Sequence, residues 1–146
     1  MTAGEQRSRL LGEWPVMRRP DAIAAARHHI RTLASRVFGF GEACDDVELM
    51  TSELLSNAVR YGEGDKAQVR VTVSPAVVRV EVRDDGRATL PINTEPDPFD
   101  ERGRGLVIVA ALAVRWGLGR DGIGTTAWFE YRRPIMPSNA SEDGTR

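Results

Sequence analysis

The sequence predicts an α+β fold, a two-layer α/β sandwich in which a mixed, mostly antiparallel sheet carries helices on one face. Three observations predict it. The first half holds two long stretches with apolar residues at helical spacing, the later stretches alternate apolar and polar residues with period two, and the connections within each strand pair are short enough for hairpins. A single apolar helix stands between the two strand pairs.

The elements follow in order. After Pro20, Asp21 is the expected N-cap of a helix through about Phe38, with Ile23, Ala26, Ile30, Leu33 and Val37 recurring on one face. Gly39 and Gly41 stop it. A second helix is expected from about Glu42 to Tyr61, with Val47, Met50, Leu54, Leu55 and Ala58 on a broad apolar face, ended by the glycines of Gly62 to Gly64. "QVRVTV" (68–73) and "VVRVEV" (77–82) then read as a hairpin around Ser74 and Pro75. A loop rich in Pro and acids, "DGRATLPINTEPDPFDER", is longer than a compact domain usually needs. Beyond it "GRGLVIVAALAV" predicts a buried helix from Gly105 to about Ala113. "VRWGLGR" and "TTAWFEYR" are the last strand pair, turning at Asp121-Gly122.

Composition bounds the function. A chain of 146 residues with 41% hydrophobic residues supports one domain with one core. The expected division is a tail over 1–12, one domain over 13–136 and a second tail over 137–146, "PSNASEDGTR". A net charge of −1, a pI near 6.1 and scattered Arg residues give no basic field for nucleic acid. The single Cys44 closes no internal disulfide, and neither a membrane span nor a signal-type apolar core stands out, so a cytoplasmic protein is expected.

The chemistry-bearing signals are bland singly. Glu53 and Asn57 are four apart, hence on the same face of one helix, where such a pair is ordinarily a solvated stripe. Asn is nonetheless a mediocre choice for a helix interior. Asp84, before Asp85 and Gly86, reads alone as a strand-end turn. The Gly103–Gly105 pair reads as a structural turn, although a glycine-rich helix start also suits phosphate. "GTT" (124–126) leads into the last strand.

Together, in this order and on these elements, the four stretches resemble the nucleotide-binding boxes of the gyrase, histidine kinase and heat-shock chaperone (GHKL) ATPase superfamily, and within it the bacterial anti-sigma factor serine/threonine kinases. "ELLSNAV" resembles the N box, "VEVRDDG" the first glycine box, "GRGLVIV" the second and "GTTAWFEY" the third, a likeness spanning about residues 14–132. The resemblance implies ATP and Mg²⁺ as ligands. It implies that the Asn57 amide oxygen ligates the metal and that Glu53 is the catalytic base for the attacking hydroxyl. It implies that Asp84 accepts from the adenine amine with the Thr125 hydroxyl in support, and that Gly86 admits the base. Gly103, Arg104, Gly105 and Leu106 would meet the phosphates, under a lid of residues 87–102.

As partners, the resemblance implies an antagonist protein phosphorylated on Ser or Thr and a sigma factor held by the free protein. Two departures stand out: Ala88 takes the place of a second glycine in the first glycine box, and Tyr61 that of a His in the N box. Two other readings stay open. One is a non-catalytic, ATP-gated binding module. The other is a detached histidine kinase catalytic domain, for which "ARHHIRTL" lacks the acid and Pro expected after a phospho-accepting His; adjacent His28 and His29 also point about 100° apart. Trp14 is a candidate for pinning the N-terminal segment or for a homodimer contact.

Overall fold

In the computed structural model of the chain the described residues are 8–61, 64–84, 101–120 and 124–133. Among them five strands and three helices follow in the order β1 (Arg9–Met17), α1 (Pro20–Phe38), α2 (Glu42–Tyr61), β2 (Lys66–Val73), β3 (Val77–Asp84), α3 (Glu101–Leu112), β4 (Arg115–Arg120) and β5 (Thr125–Arg132). The sheet order is β1-β2-β3-β5-β4, and every described pairing is antiparallel. The expected α+β two-layer sandwich is the observed one.

The strand periodicity fixes which face is buried. Val69, Val71 and Val73 on β2, Val78, Val80 and Val82 on β3, and Ala127 and Phe129 on β5 all point to the helical layer and are buried. Ile30 and Leu33 of α1 and Val47, Met50, Leu54 and Leu55 of α2 meet them from above. The opposite face is a charged surface of one layer's thickness. There Glu130, 8% exposed at its side chain, accepts from Arg79 and Arg115 at 3.1 and 2.8 Å, and the Arg79 guanidinium lies 4.0 Å from the centre of the Trp128 ring.

Several boundaries differ from expectation. Strand β1 starts at Arg9, so residues 9–12, assigned by composition to a tail, pair with β2. Helix α1 begins two residues earlier than read: Pro20 takes its first turn, Arg19 is the N-cap without a side-chain cap bond, and Asp21 is an acid of the first turn. Helix α3 begins at Glu101 instead of Gly105, absorbing both glycines. It is also less buried than its apolar run predicts, since Val109 is fully buried but Val107 is 48% exposed. The expected tails beyond residues 8 and 133 lie outside the described residues.

Candidate functional site

Helix α2 is oriented by contacts at both ends. Near its start, the Tyr131 hydroxyl on β5 donates to Asp46 Oδ2 at 2.7 Å. Near its finish, the Arg18 side chain, just after β1, donates to the carbonyls of Val59 and of Gly64. The first contact lies where β3 starts, because Tyr131 pairs with Val78. The second lies where β3 finishes, because the Met17–Lys66 and Ala67–Asp84 pairs adjoin it. From Asp46 to Asn57 the helix advances about 16 Å at 1.5 Å per residue, most of the roughly 20 Å that β5 spans from Tyr131 back to Thr125 at about 3.3 Å per residue. Asn57 therefore stands at the Asp84–Thr125 end of the sheet.

The helical turn settles which flank it uses. At 100° per residue, Asp46, Met50, Glu53 and Asn57 fall within a wedge of about 60°. Cys44, Glu48 and Leu55 fall on the opposite flank. That flank faces α1: the Cys44 thiol approaches the Arg31 carbonyl at 3.4 Å, and Arg31 donates to Asp45 at 2.6 Å and Glu48 at 2.9 Å. Burial pushes the Cys44 thiol pKa up, as for a packed and unreactive cysteine. The Glu53–Asn57 stripe thus faces away from α1, toward β5 and α3. Asn57 is 8% exposed and Glu53 half-buried, so the pair is not the solvated stripe that spacing alone allows.

Asp84 and Thr125 are direct cross-strand partners, 3% and 4% exposed. Asp84 continues the row Val78, Val80, Val82 toward the helical layer, placing a carboxylate where the pattern calls for an apolar side chain. Thr125 likewise continues Ala127 and Phe129. A carboxylate at this depth is costly without hydrogen-bond donors, so its placement at a sheet end is specific.

Helix α3 arrives at the same end. Its C-terminus sits by Glu130, whose carbonyl accepts from the Val114 amide at 2.8 Å, so its N-terminal turn projects toward Thr125 along about 18 Å of helix. Starting at Glu101 changes which amides are available. Counted from the cap, the first four N–H groups of a helix have no intrahelical partner, so in a helix that starts at Glu101 the Gly103 amide is the last one free of the helical ladder, and that of Gly105 is used by it. Leu106 follows in the second turn, half-buried. Gly86, Ala88 and the proposed lid, residues 87–102 before α3, lie outside the described residues up to Asp100.

The structure thus brings Asn57, Asp84, Thr125 and the first turn of α3 to one end of the sandwich, with Glu53 one helical turn behind Asn57. An amide oxygen fits a hard divalent cation that keeps most of its waters. A buried carboxylate beside a hydroxyl fits an exocyclic amine, and a helix N-terminus fits phosphate. His28 and His29 are exposed on α1; His29 stacks on Trp14 with ring centroids 4.0 Å apart, a packing contact that ties β1 to α1. Among the described residues, no group of three metal-ligating His, Cys, Asp or Glu side chains occurs, and no helix is long and apolar enough to cross a membrane. Sequence reasoning missed Arg18, whose signal is visible only once β1 is known to be a strand.

Comparison with known proteins bears on the fold and the family. The chain is similar to the RsbU and RsbW domains of Rv1364c from Mycobacterium tuberculosis, at 19% identity and a TM-score of 0.60, covering 84% of this chain and 33% of that one. It is also similar to the histidine kinase domain of a blue-light activated histidine kinase from Erythrobacter litoralis, at 22% identity and a TM-score of 0.53, covering 76% of this chain and 61% of that one. The chain therefore spans about a third and about three fifths of those two chains, and at these identities the likeness is one of fold. A search of curated proteins finds no significant match. The family model of the histidine kinase-like ATPase domain matches residues 16–130, from the end of β1 to Glu130 on β5, and the chain belongs to that family.

Proposed function

We propose that the protein is a Mg–ATP-dependent serine/threonine protein kinase of the anti-sigma type, transferring a phosphoryl group to an antagonist protein and, when free, holding a sigma factor. The observation that carries this reading is the meeting of Glu53 and Asn57 with the Asp84–Thr125 pair at one end of the sheet. Mg–ATP, when bound, supplies the γ-phosphoryl group and a metal that offsets its charge. The chain supplies position. The Asn57 amide oxygen would hold the metal, the Asp84 carboxylate would accept from the adenine amine with Thr125 in support, and the first turn of α3, with the Gly103 amide, would face the phosphates. Glu53, a turn behind Asn57, would take the proton of the attacking Ser or Thr hydroxyl. The anti-sigma part of the reading rests on the resemblance of the four motifs.

Replacing Glu53 by Gln separates transfer from binding. A base near the γ-phosphate acts chiefly in the transition state, so Glu53→Gln should lower transfer by about 10²–10⁴-fold and leave ATP affinity within a few-fold. The measurement is transfer of label from ATP to an antagonist recovered with the protein from its own cells. If the wild type binds ATP and that antagonist yet transfers nothing over hours, the protein is an ATP-gated binding module, and Glu53 is a helix-face residue without catalytic work.

A further inference from the structure

Arg18 occupies the two-residue link between β1 and α1, and nothing in its local sequence calls for a cation there. Its backbone is held on both sides: the Arg18 amide donates to the Asp65 carbonyl at 3.0 Å, and the next amide, of Arg19, donates back to Met17 at 2.8 Å. From that fixed point the guanidinium reaches over 40 residues along the chain. Nη1 donates to the Gly64 carbonyl at 2.9 Å and Nη2 to the Val59 carbonyl, while Nε is buried with no hydrogen-bond partner.

The Val59 carbonyl is one of the last four of α2 (58–61), which have no partner within the helix, and a cation there also complements the negative end of the helix dipole. Helix ends open most easily, and the last turn of α2 begins directly after Asn57, whose carbonyl has the Tyr61 amide as its helical partner. One planar fork, anchored on the β1–β2 end, thus joins the final turn of α2 to Gly64, three residues beyond it.

We infer that Arg18 is a positioning residue for the proposed metal site, fixing the last turn of α2 so that the Asn57 amide oxygen is held for a divalent cation; this rests on the nucleotide reading above. The consequence is selective. Arg18 donates to α2 and its exit, whereas the Asp84–Thr125 pair belongs to β3 and β5. Loss of the fork should therefore weaken the metal-dependent part of nucleotide binding and spare base selectivity. A residue serving only general stability would weaken both.

The test is ATP binding by calorimetry across a Mg²⁺ series, with GTP as the comparison, on wild type, Arg18→Met and Arg18→Lys. Arg18→Met keeps the aliphatic stem and removes the fork; it should raise the Mg²⁺ needed for half of the metal-dependent gain about tenfold, with the ATP-to-GTP ratio unchanged. Arg18→Lys restores the charge without the two-pronged geometry and should lie between, about threefold from wild type. An Arg18→Met protein with the wild-type Mg²⁺ series overturns the inference. So does one that loses metal-dependent binding and base selectivity together. If Arg18→Met does not fold, Arg18→Lys decides, and a wild-type Mg²⁺ series in it overturns the inference as well. Failure of the nucleotide reading itself would appear earlier, as absence of Mg²⁺-dependent ATP binding in the wild type, and this inference would fall with it.

Discussion

Tyr131 and Asp46 show how much of this fold turns on single contacts. The hydroxyl of Tyr131 donates to Asp46 and fixes the start of α2 on β5, which sets the flank that carries Glu53 and Asn57. Burial pushes the phenol up to about 12, reinforced by the hydrogen bond to Asp46 and the charges of Asp46 and Glu42. A raised phenol pKa means that the folded state binds this proton more tightly than the unfolded state between pH 10 and about 12. Its contribution to stability is full below pH 10 and is lost as pH rises toward 12. Tyr131→Phe should be less stable by about 1 kcal/mol at neutral pH, and the difference from wild type should shrink between pH 10 and 12 in thermal melts. A gap that stays constant over that range would exclude the neutral phenol as its source.

The site residues were legible at this same scale to different degrees. Asp84 stands where the alternation of "VVRVEVRD" demands an apolar side chain, and Asn57 where a helix interior prefers another residue; both are local conflicts, of the kind expected at functional or strained positions. Arg18 conflicts with nothing in sequence, because its partners lie more than 40 residues away and its role exists only in the folded arrangement.

Elements were legible where period and burial agree. Strands β2, β3 and β5 and helices α1 and α2 have clean patterns, and the structure extends or trims them by two residues at most. Strand β1 breaks the rule for physical reasons. Its register shifts between Leu10 and Gly12, which spoils the alternation, and Pro15 is admissible because β1 is an edge strand needing no second ladder. Helix α3 was read as starting at Gly105 because glycine ordinarily punctuates a helix; here both glycines lie in its opening turns, where the cost of glycine is modest.

On the outer face, β4 and β5 depend on a close approach that only glycine allows. A Cβ on Gly117 would stand 2.8 Å from Trp128 Nε1 and 2.9 Å from Cε2 and Cζ2, and the indole is itself covered by Arg79. Gly117→Ala must displace the ring or the strand. It should cost about 1–3 kcal/mol, read as a lower melting temperature together with a changed tryptophan fluorescence. An unchanged melting temperature would mean that the Trp128 shelf yields freely.

At the scale of the molecule, the sandwich works as a frame with one open end. The sheet holds Asp84 against Thr125, α2 lies across it with Glu53 and Asn57 turned toward α3, and α3 presents its first turn at the same end. Residues far apart in sequence meet because α2, α3 and the β3–β5 pair finish or begin together there. The order of the motifs along the chain anticipated this meeting; the spacing of any one of them could not have done so.

The assignment of that end to an adenine nucleotide is tested most directly by calorimetric titration of wild type and Asp84→Asn with ATP and with GTP in Mg²⁺. A buried carboxylate accepts from the adenine amine but faces a lone pair in guanine, so wild type should prefer ATP by about a hundredfold or more, and Asp84→Asn should bring the two within a few-fold. Equal affinity of the wild type for ATP and GTP would contradict the placement of adenine against Asp84.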